Sequence, residues 1–316
     1  MKVSVIVLIY NSELQSILLT LKSILNQKWL NNIEIIIADD GSNKKYDHEI
    51  INYFKKYDFT NYMFAPSEKN VGTVNNILRA LQYCTGEYVK PMGVDDLLFS
   101  DDVLYKIYLK MKKGNYKCVF GNIKSYTVED KTIKNHSFTA PLYKHVYKNE
   151  NIIRIKRNMI LGNDYISGAS MMYETHFLKK ELSKLSGIIK YTEDCIQVPI
   201  ILSGTFIKYI PIDFILYKVG TGISTNKNGN IKIKQDHKNF YAYIKNNYQD
   251  STVISLDRRD KLPRYLRALI MWIQNPCIRL RIYFRNYNLI HYKKMKMNDC
   301  LGFLSDSAFT QEFGLK

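Results

Sequence analysis

The first hundred residues alternate between short apolar runs and segments with helical periodicity. The apolar, β-branched runs fall at residues 3–9, 33–38, 61–65 and 87–92, and between the first two the apolar residues from Leu14 to Leu25 recur at helical spacing. Continuous apolar runs are typical of strands buried on both faces of a sheet. Strands that alternate with helices form βαβ units. The sequence therefore predicts an α/β fold, a Rossmann-like, mainly parallel sheet flanked by helices.

Polar or acidic turns follow each of these predicted strands. The carboxyl ends of parallel strands share one edge of a sheet, where open α/β folds bind their ligands. A helix cap explains any one such turn, but it poorly explains two Asp-Asp pairs at the same edge. The turns are Tyr10-Asn11, Asp39-Asp40, Asn70 to Thr73, and Asp95-Asp96.

The pair Asp95 and Asp96 follows the fourth predicted strand directly. Hard carboxylate oxygens suit Mg²⁺ or Mn²⁺, and such an ion can in turn hold phosphate oxygens. The alternative is structural, because either residue could start the helix predicted at 101–113.

A second acidic pair, Glu193 and Asp194, comes later in the chain. Thr192 could cap the helix that follows and place both acids in its first turn, where the helix dipole favours negative charge. The functional alternative is a general base at that helix N-terminus. Gly168 and Ala169 would admit either a ligand or tight packing against their backbone.

The remaining pattern predicts a polar, irregular excursion at 127–148 and strands at 206–210 and 212–219. The Gly- and Asn-rich segment at 220–230 predicts a mobile loop, either a lid over a ligand or a domain connection. The predicted division is a first half at 1–100, a second half at 101–225 and a basic helical region at 226–316.

Charge is concentrated near the C-terminus of the 316-residue chain, whose formal net charge is +17. Residues 258–296 hold eleven Lys or Arg and one acid among aromatic and aliphatic residues. This pattern predicts helices on an anionic membrane surface, or an ordinary helical hairpin packed on the domain. No nucleic-acid-binding module accompanies the charge, so nucleic acid is not the expected partner.

Cellular location is indicated by three features. The five cysteines are scattered and form no CxxC, as expected for reduced thiols. The apolar N-terminus lacks a small-residue cleavage site, and no stretch reaches the ~18 apolar residues of a membrane-spanning helix. We expect a cytoplasmic protein, peripheral at the inner face of the cytoplasmic membrane.

The order of these motifs resembles the family 2 glycosyltransferases, which have the GT-A fold, and among them the bacterial surface-polysaccharide (O-antigen or capsule) type. The resemblance is close over the first hundred residues and continues at two later places. Its matching segments are 3–11, 26–27, 33–42, 70–72, 85–88, 95–96, 192–194 and 217–224.

The resemblance implies that the half at 1–100 binds the nucleotide-sugar and the half at 101–225 the acceptor, and it implies roles for individual residues. Asp95 would bind Mn²⁺ or Mg²⁺ beside Asp96, Asp40 would bind the uracil of a UDP-sugar, and Asp194, rather than Glu193, would be the catalytic base. The sequence departs from the family pattern at Gly93, where the motif has its first acid, and at Gly220, where many relatives have a histidine. The implied nucleotide-binding residues are Leu8, Tyr10, Asn11, Asp39, Asp40, Asn70, Gly72, Thr73, Val94, Asp95 and Asp96.

The implied function is an inverting, metal-dependent hexosyl transfer from a UDP-sugar to a hydroxyl of a glycan, carried on a lipid such as undecaprenyl diphosphate. A catalytically silent nucleotide- or membrane-binding protein with the same fold is the alternative. The exposed faces of the C-terminal region could also pair chains into an oligomer.

Overall fold

The computed structural model describes residues 2–136, 139–220, 227–263, 265, 266, 269 and 302–315. Nine strands form one sheet. They are β1 (Val3–Ile9), β2 (Ile33–Asp39), β3 (Tyr62–Phe64), β4 (Tyr88–Gly93), β5 (Leu97–Leu98), β6 (Cys118–Glu129), β7 (Thr132–His136), β8 (Met171–Glu174) and β9 (Lys208–Lys218).

Helices cover both faces of this sheet. In chain order they are α1 (Leu14–Leu25), α2 (Asp47–Lys55), α3 (Thr73–Ala80), α4 (Val103–Gly114), α5 (His145–Lys148), α6 (Ile152–Lys156), α7 (Thr175–Ser183), α8 (Gln197–Leu202), α9 (Lys227–Asn247), α10 (Ser251–Asp260) and α11 (Ser307–Gln311). None of the helices in the described ranges is long and apolar enough to cross a membrane.

The strand order is β3-β2-β1-β4-β8-β6-β9-β5, with β7 paired to β6. Strands β1 to β4 are parallel, as the alternating pattern predicts. The second half is mixed, because β8 runs antiparallel to both β4 and β6. Strands β1 to β4 thus form a regular parallel unit, and β8 joins it to the rest of the sheet, where β5 pairs antiparallel with β9 at the far edge.

The strands divide the core into two layers, because successive side chains of a strand point to opposite faces. Val3, Val5 and Val7 pack with α1, α2 and α4 on one face. Ile6 packs on the other face, in a core that also holds buried side chains of α3, α7, α8, α9 and α10. The result is a three-layer α/β/α arrangement with the carboxyl ends of β1, β2 and β4 at one edge.

Two predicted segments differ from the structure. Residues 127–136 are not irregular, because β6 continues to Glu129 and forms a hairpin with β7. The two strands predicted on either side of Pro211 are one strand, β9. Its pairing with β6 shifts register between Phe120 and Asn122. Pro211 lies opposite this shift, and because proline has no backbone N–H it cannot donate a hydrogen bond to β6.

The segment predicted as a loop at 220–230 is partly helical, since α9 begins at Lys227. Residues 221–226, where a lid would lie, are outside the described residues. Most of the basic segment is also outside them, so its membrane-binding helices stay a prediction. The described residues of the C-terminal region form α9, α10 and, closer to the C-terminus, α11.

The last described residues return to the first half of the chain. Phe303, Phe309 and Phe313 are buried in the core layer of α1 and α2. Glu312 forms an ion pair with Lys22 and accepts a hydrogen bond from Tyr53. The C-terminal segment 302–315 therefore completes the core of the N-terminal half.

We expect Phe309→Ala to lower the free energy of unfolding by about 3–5 kcal/mol, because it removes a fully buried aromatic ring. Phe309 is 1% exposed. Urea denaturation followed by circular dichroism measures the effect, and Phe309→Leu, which keeps most of the volume, should cost much less. A change within error for Phe309→Ala would show that the C-terminal segment does not pack on the domain in solution.

Candidate active site

Asp95 lies in the turn between β4 and β5, and its N–H, carbonyl and carboxylate are all hydrogen-bonded. Its backbone N–H donates to the hydroxyl of Thr20 at 3.0 Å, and its carbonyl accepts from the hydroxyl of Tyr126 at 2.9 Å. Its carboxylate oxygen Oδ1 accepts from Nζ of Lys218 at 2.7 Å. Its φ of 76° lies in the left-handed region, which non-glycine residues seldom adopt and which is often associated with functional sites.

Asp96 is 8% exposed and faces a fully buried lysine, Lys90. Burial raises the pKa of Asp96 and lowers the pKa of Lys90, while their mutual attraction opposes both shifts. Nζ of Lys90 donates to the carbonyls of Pro91 at 2.8 Å and Ala169 at 2.6 Å. Lys90 thus ties β4 to the turn that precedes β8.

Neither aspartate caps a helix. The next helix, α4, begins at Val103 after Asp102, so the structural alternative for this pair is wrong. The two carboxylates instead occupy the predicted position at the sheet edge.

The other predicted nucleotide-binding residues form a connected set of turns. Asn11 donates its N–H to the hydroxyl of Ser42 at 2.8 Å, and Asp39 accepts from the N–H of Ser42 at 2.9 Å. Asp40 accepts from the N–H groups of Val71 at 2.7 Å and Gly72 at 2.9 Å. The ends of β1 and β2 and the turn before α3 are therefore joined, as the motif order predicts.

Three further predicted residues border these turns. Tyr10 is 48% exposed at the end of β1, and Leu8, on β1, packs at the edge of the core of α3. Val94 is partly buried beside Asp95. Their positions are compatible with the predicted nucleotide site.

The turn before α3 requires glycine at Gly72 because of its neighbour Lys190. Gly72 has a φ of 85°, and a Cβ there would lie 2.2 Å from Cγ of Lys190 and 2.6 Å from its carbonyl oxygen. Lys190 donates from Nζ to the carbonyl of Asn70 at 3.1 Å and accepts from the N–H of Val74 at 3.1 Å. These contacts join the turn before α3 to the segment that leads into Glu193 and Asp194.

Glu193 and Asp194 lie in a 3₁₀ turn directly before α8. Burial and the charge of Asp194 together raise the pKa of Glu193 to about 8, and burial raises the pKa of Asp194 to about 6. Asp194 is the more acidic of the two, which suits it to the ionised state that a general base must have.

The two acidic pairs lie close enough to act on one another. The negative charge of Asp96 contributes to the raised pKa of Glu193. The pKa of Tyr217 is raised to about 12, mainly by burial, and the negative charges of Asp96, Asp194 and Glu193 also contribute to this rise. Carboxylates from both halves of the chain therefore share one site.

Asp236, on α9, positions the turn of Glu193 and Asp194. Its carboxylate accepts from the N–H groups of Lys190 at 3.1 Å, Tyr191 at 2.6 Å and Thr192 at 3.1 Å. The hydroxyl of Thr192 also donates to Asp236, at 3.4 Å, and makes no cap contact with the helix. The expectation that Thr192 caps the helix is wrong, because its side chain accepts no hydrogen bond from the first turn and instead donates one to Asp236.

Gly168 packs against the acidic pair. A Cβ at Gly168 would lie 3.2 Å from Oε1 of Glu193 and 3.5 Å from Cβ of Asp194. Of the two sequence-based explanations for Gly168 and Ala169, tight packing is the one present here. The neighbour that approaches the backbone is Glu193.

Asp95 and Asp96 are the residues that the sequence predicts as ligands of a metal ion. No group of three or more His, Cys, Asp or Glu side chains suited to a metal ion occurs in the described part of the chain. Mg²⁺ in nucleotide sites commonly takes only one or two carboxylates, with phosphates and water as its other ligands. The two aspartates therefore fit an ion bound together with a diphosphate, although Lys218 already neutralises one oxygen of Asp95.

Comparison with known protein families identifies the family to which this chain belongs. The family model described as "Glycosyl transferase family 2" matches residues 4–179, more than half of the chain. The chain belongs to glycosyl transferase family 2. The matched range includes the turns of Asp40, Asn70 and Asp95 and ends before Glu193, so the second acidic pair lies outside the matched range.

One relative from Haemophilus influenzae, described as an uncharacterized glycosyltransferase, is 32% identical over 123 residues. The match covers 36% of this family 2 chain and 46% of the relative, so the chain spans less than half of the relative's length.

Solved structures of S. aureus TarS share the GT-A-like fold. One TarS structure has a TM-score of 0.52 and 17% identity over 84% of this chain and 44% of TarS. A structure of TarS 1-349 in complex with UDP-GlcNAc has a TM-score of 0.52 and 16% identity over 98% of this chain and 80% of that one. The expected fold is confirmed.

Several residues of this site carry no sequence signal. Lys90 and Asp236 are single polar residues within a strand and within a helix, outside the matching segments. Lys218 lies inside the matching segment 217–224, but the resemblance assigns it no role. Lys190 lies three residues before Glu193, and its contact with the turn before α3 depends on the tertiary fold.

We expect Glu193→Gln to change how stability depends on pH. The folded-state pKa of Glu193 is about 8, above its ordinary value of 4.5, so the folded protein keeps a proton that the unfolded chain releases. The stabilisation is complete below the ordinary value and is lost as pH rises through about 8. Relative to the Gln variant, the wild type should therefore lose on the order of 5 kcal/mol between the two pKa values.

Urea denaturation at a series of pH values measures this difference. Glu87→Gln is the control, since Glu87 is a surface partner of Lys112. Parallel pH profiles for the wild type and Glu193→Gln would show that Glu193 is ionised at neutral pH in the folded protein.

Proposed function

We propose that this family 2 chain is an inverting glycosyltransferase that transfers a hexosyl group from a UDP-sugar to a hydroxyl of a glycan. The observation that carries the proposal is the meeting of two acidic pairs at one sheet edge. Asp96 lies within electrostatic reach of Glu193 and Tyr217. One pair faces a leaving group and the other supplies a base, which is what a direct displacement requires.

The nucleotide would bind where the turns after β1, β2 and β3 meet. Oδ1 of Asn70 is buried there and has no hydrogen-bond partner within the described residues. A buried acceptor without a donor is costly, and a nucleoside offers N–H and O–H donors. Both oxygens of Asp40 already accept backbone N–H groups, so any hydrogen bond from a uracil would use their remaining lone pairs. TarS, which shares this fold, binds UDP and UDP-GlcNAc in its own crystals.

The diphosphate would lie beside Asp95. Asp95 and Asp96 would hold Mg²⁺ or Mn²⁺, which when bound supplies positive charge to the departing diphosphate. The protein fixes Asp95 through Thr20 and Tyr126. The ligand carboxylate is thereby positioned before the donor arrives.

Asp194 would act on the acceptor. Its carboxylate takes the proton of the acceptor hydroxyl as the oxygen attacks the anomeric carbon. The bond from that carbon to the diphosphate breaks, and its electron pair leaves with the diphosphate. A single displacement inverts the anomeric carbon and needs no covalent enzyme intermediate.

The acceptor would be carried at an anionic membrane surface, for example as an undecaprenyl-diphosphate-linked glycan in bacterial O-antigen or capsule synthesis. The basic, aromatic-rich sequence at 258–296 supports this setting. It would hold the enzyme peripherally at the cytoplasmic face. A silent protein of the same fold is the competing function, and it has no requirement for a charged Asp194.

We expect UDP to bind more tightly with Mn²⁺ than without it, and Asp95→Ala to remove most of that difference. Loss of a metal ligand commonly costs at least tenfold in affinity. Isothermal titration calorimetry with UDP, with Mn²⁺ and with a chelator, measures both effects. Asp101→Ala is the control, because Asp101 is a surface aspartate paired with Lys28.

Equal UDP affinity with and without Mn²⁺ in the wild type would contradict metal dependence. No UDP binding under either condition would contradict a UDP-sugar donor, and GDP and dTDP would then be tested in the same way.

We expect the protein to bind vesicles that contain phosphatidylglycerol and not vesicles of phosphatidylcholine alone. Replacing Arg279, Arg281 and Arg285 with Gln should weaken binding at least tenfold, since each basic residue near such a surface contributes roughly 1 kcal/mol. A flotation assay at fixed salt measures the bound fraction.

The control replaces three exposed lysines of the body, Lys110, Lys113 and Lys131, with Gln. It makes the same change in net charge. Equal loss in both triple variants would assign vesicle binding to net charge and not to the basic segment.

A further inference from the structure

Lys218 is the last residue of β9 and lies beside the carboxylate expected to hold the metal. Its Nζ is 2.7 Å from Oδ1 of Asp95, and the two side chains are 21% and 11% exposed. Across the described residues, this ion pair is the contact that its ammonium group makes. A lysine ammonium has three donor hydrogens, so two of them are available to another acceptor.

Asp95 does not need Lys218 for its position. Its N–H and carbonyl are bound by Thr20 and Tyr126, which fix the backbone on both sides of the side chain. Lys218 contacts only the carboxylate, and in the parallel register of β6 and β9 it is opposite Tyr126. The fold thus places one positive charge at the tip of a fixed carboxylate.

That placement matters because the site is acidic before any ligand binds. Asp96, Glu193 and Asp194 lie nearby, and Tyr217, the neighbour of Lys218, feels all three. A diphosphate would add negative charge to this surface. A cation bound to Asp95 would repel the ammonium group of Lys218, and the phosphate oxygens would attract it.

We propose that Lys218 is a protein-borne cation of the diphosphate site, which neutralises Asp95 in the free protein and donates to a phosphate oxygen of the departing nucleoside diphosphate when the donor binds. This rests on the proposed function. When the bond from the anomeric carbon to the diphosphate breaks, its electron pair remains on the diphosphate oxygen. Lys218 stays protonated throughout and stabilises that charge by a charge-assisted hydrogen bond.

The proposal predicts two effects of opposite sign for Lys218→Met. UDP binding should weaken at least about tenfold with Mn²⁺ and also with a chelator, because the variant loses a charge-assisted hydrogen bond to the diphosphate. Binding of Mn²⁺ alone should tighten severalfold, because Asp95 loses its competing cation. UMP and uridine should bind the variant about as well as the wild type, since they lack the second phosphate.

Isothermal titration calorimetry measures the nucleotides, and electron paramagnetic resonance of free Mn²⁺ measures the metal. Lys208→Met is the matched control, because Lys208 begins the same strand and pairs with Glu150 away from the site. Lys218→Arg should keep most of the UDP affinity. Thermal unfolding confirms that each variant is folded, and Lys218→Gln replaces Lys218→Met if that variant is not.

A merely structural ion pair would predict a lower unfolding temperature with unchanged UDP affinity in the chelator, and that result would overturn the proposal. Equal losses for UMP and UDP would overturn it as well, because the effect would not depend on the second phosphate. A wild-type protein that binds no UDP would overturn the proposed function together with this inference. UDP binding that is unaffected by Lys218→Met would overturn this inference alone.

Discussion

The central constraint in this protein is the parallel pairing of β1 with both β2 and β4. Because all three strands run in the same direction, their carboxyl ends meet at one edge. The turns that leave them carry Asn11, Asp39, Asp40, Asp95 and Asp96. Residues that are 32 positions apart in the sequence come into contact between neighbouring turns, where Asp40 accepts from the N–H of Gly72. If that register were lost, the site would have no common location.

Enclosed charge is the second organising property of the site. Burial raises the pKa of Asp40, Asp96, Glu193 and Asp194. The fold offsets this unfavourable burial with cations that also serve as structural links. Among the described residues these are Arg79 and Lys190 near Asp40, Lys90 near Asp96 and Lys218 at Asp95.

The parts of this fold that could be predicted from sequence are those with a local cause. Apolar runs and acidic turns within the first hundred residues predict the strands, their arrangement in βαβ units and the edge of the sheet at which the site lies. The paired acids Glu193 and Asp194 stand out because they are adjacent. Their charge states could not be predicted from the sequence, because they depend on burial and on the interaction between the two carboxyls in the folded protein.

Contacts that join distant parts of the chain could not be predicted in this way. Asp236 receives three backbone N–H groups from residues more than forty positions earlier, and it lies in a helix whose Asn- and Gly-rich beginning favours a loop. The polar stretch after Thr127 forms a strand because β7 supplies its partner. A single residue such as Lys218 acquires its importance from a neighbour on another strand.

The return of the C-terminal segment has a further consequence. Val253 and Leu256 of α10 are buried in one core layer, and Phe303 and Phe309 are buried in the other. The chain between α10 and Gly302 therefore starts on one side of the sheet and finishes on the opposite side. The described residues on either side of this stretch are thus anchored in opposite layers of the core. Anything that this stretch binds is therefore tied to the domain at two places, one on each face of the sheet.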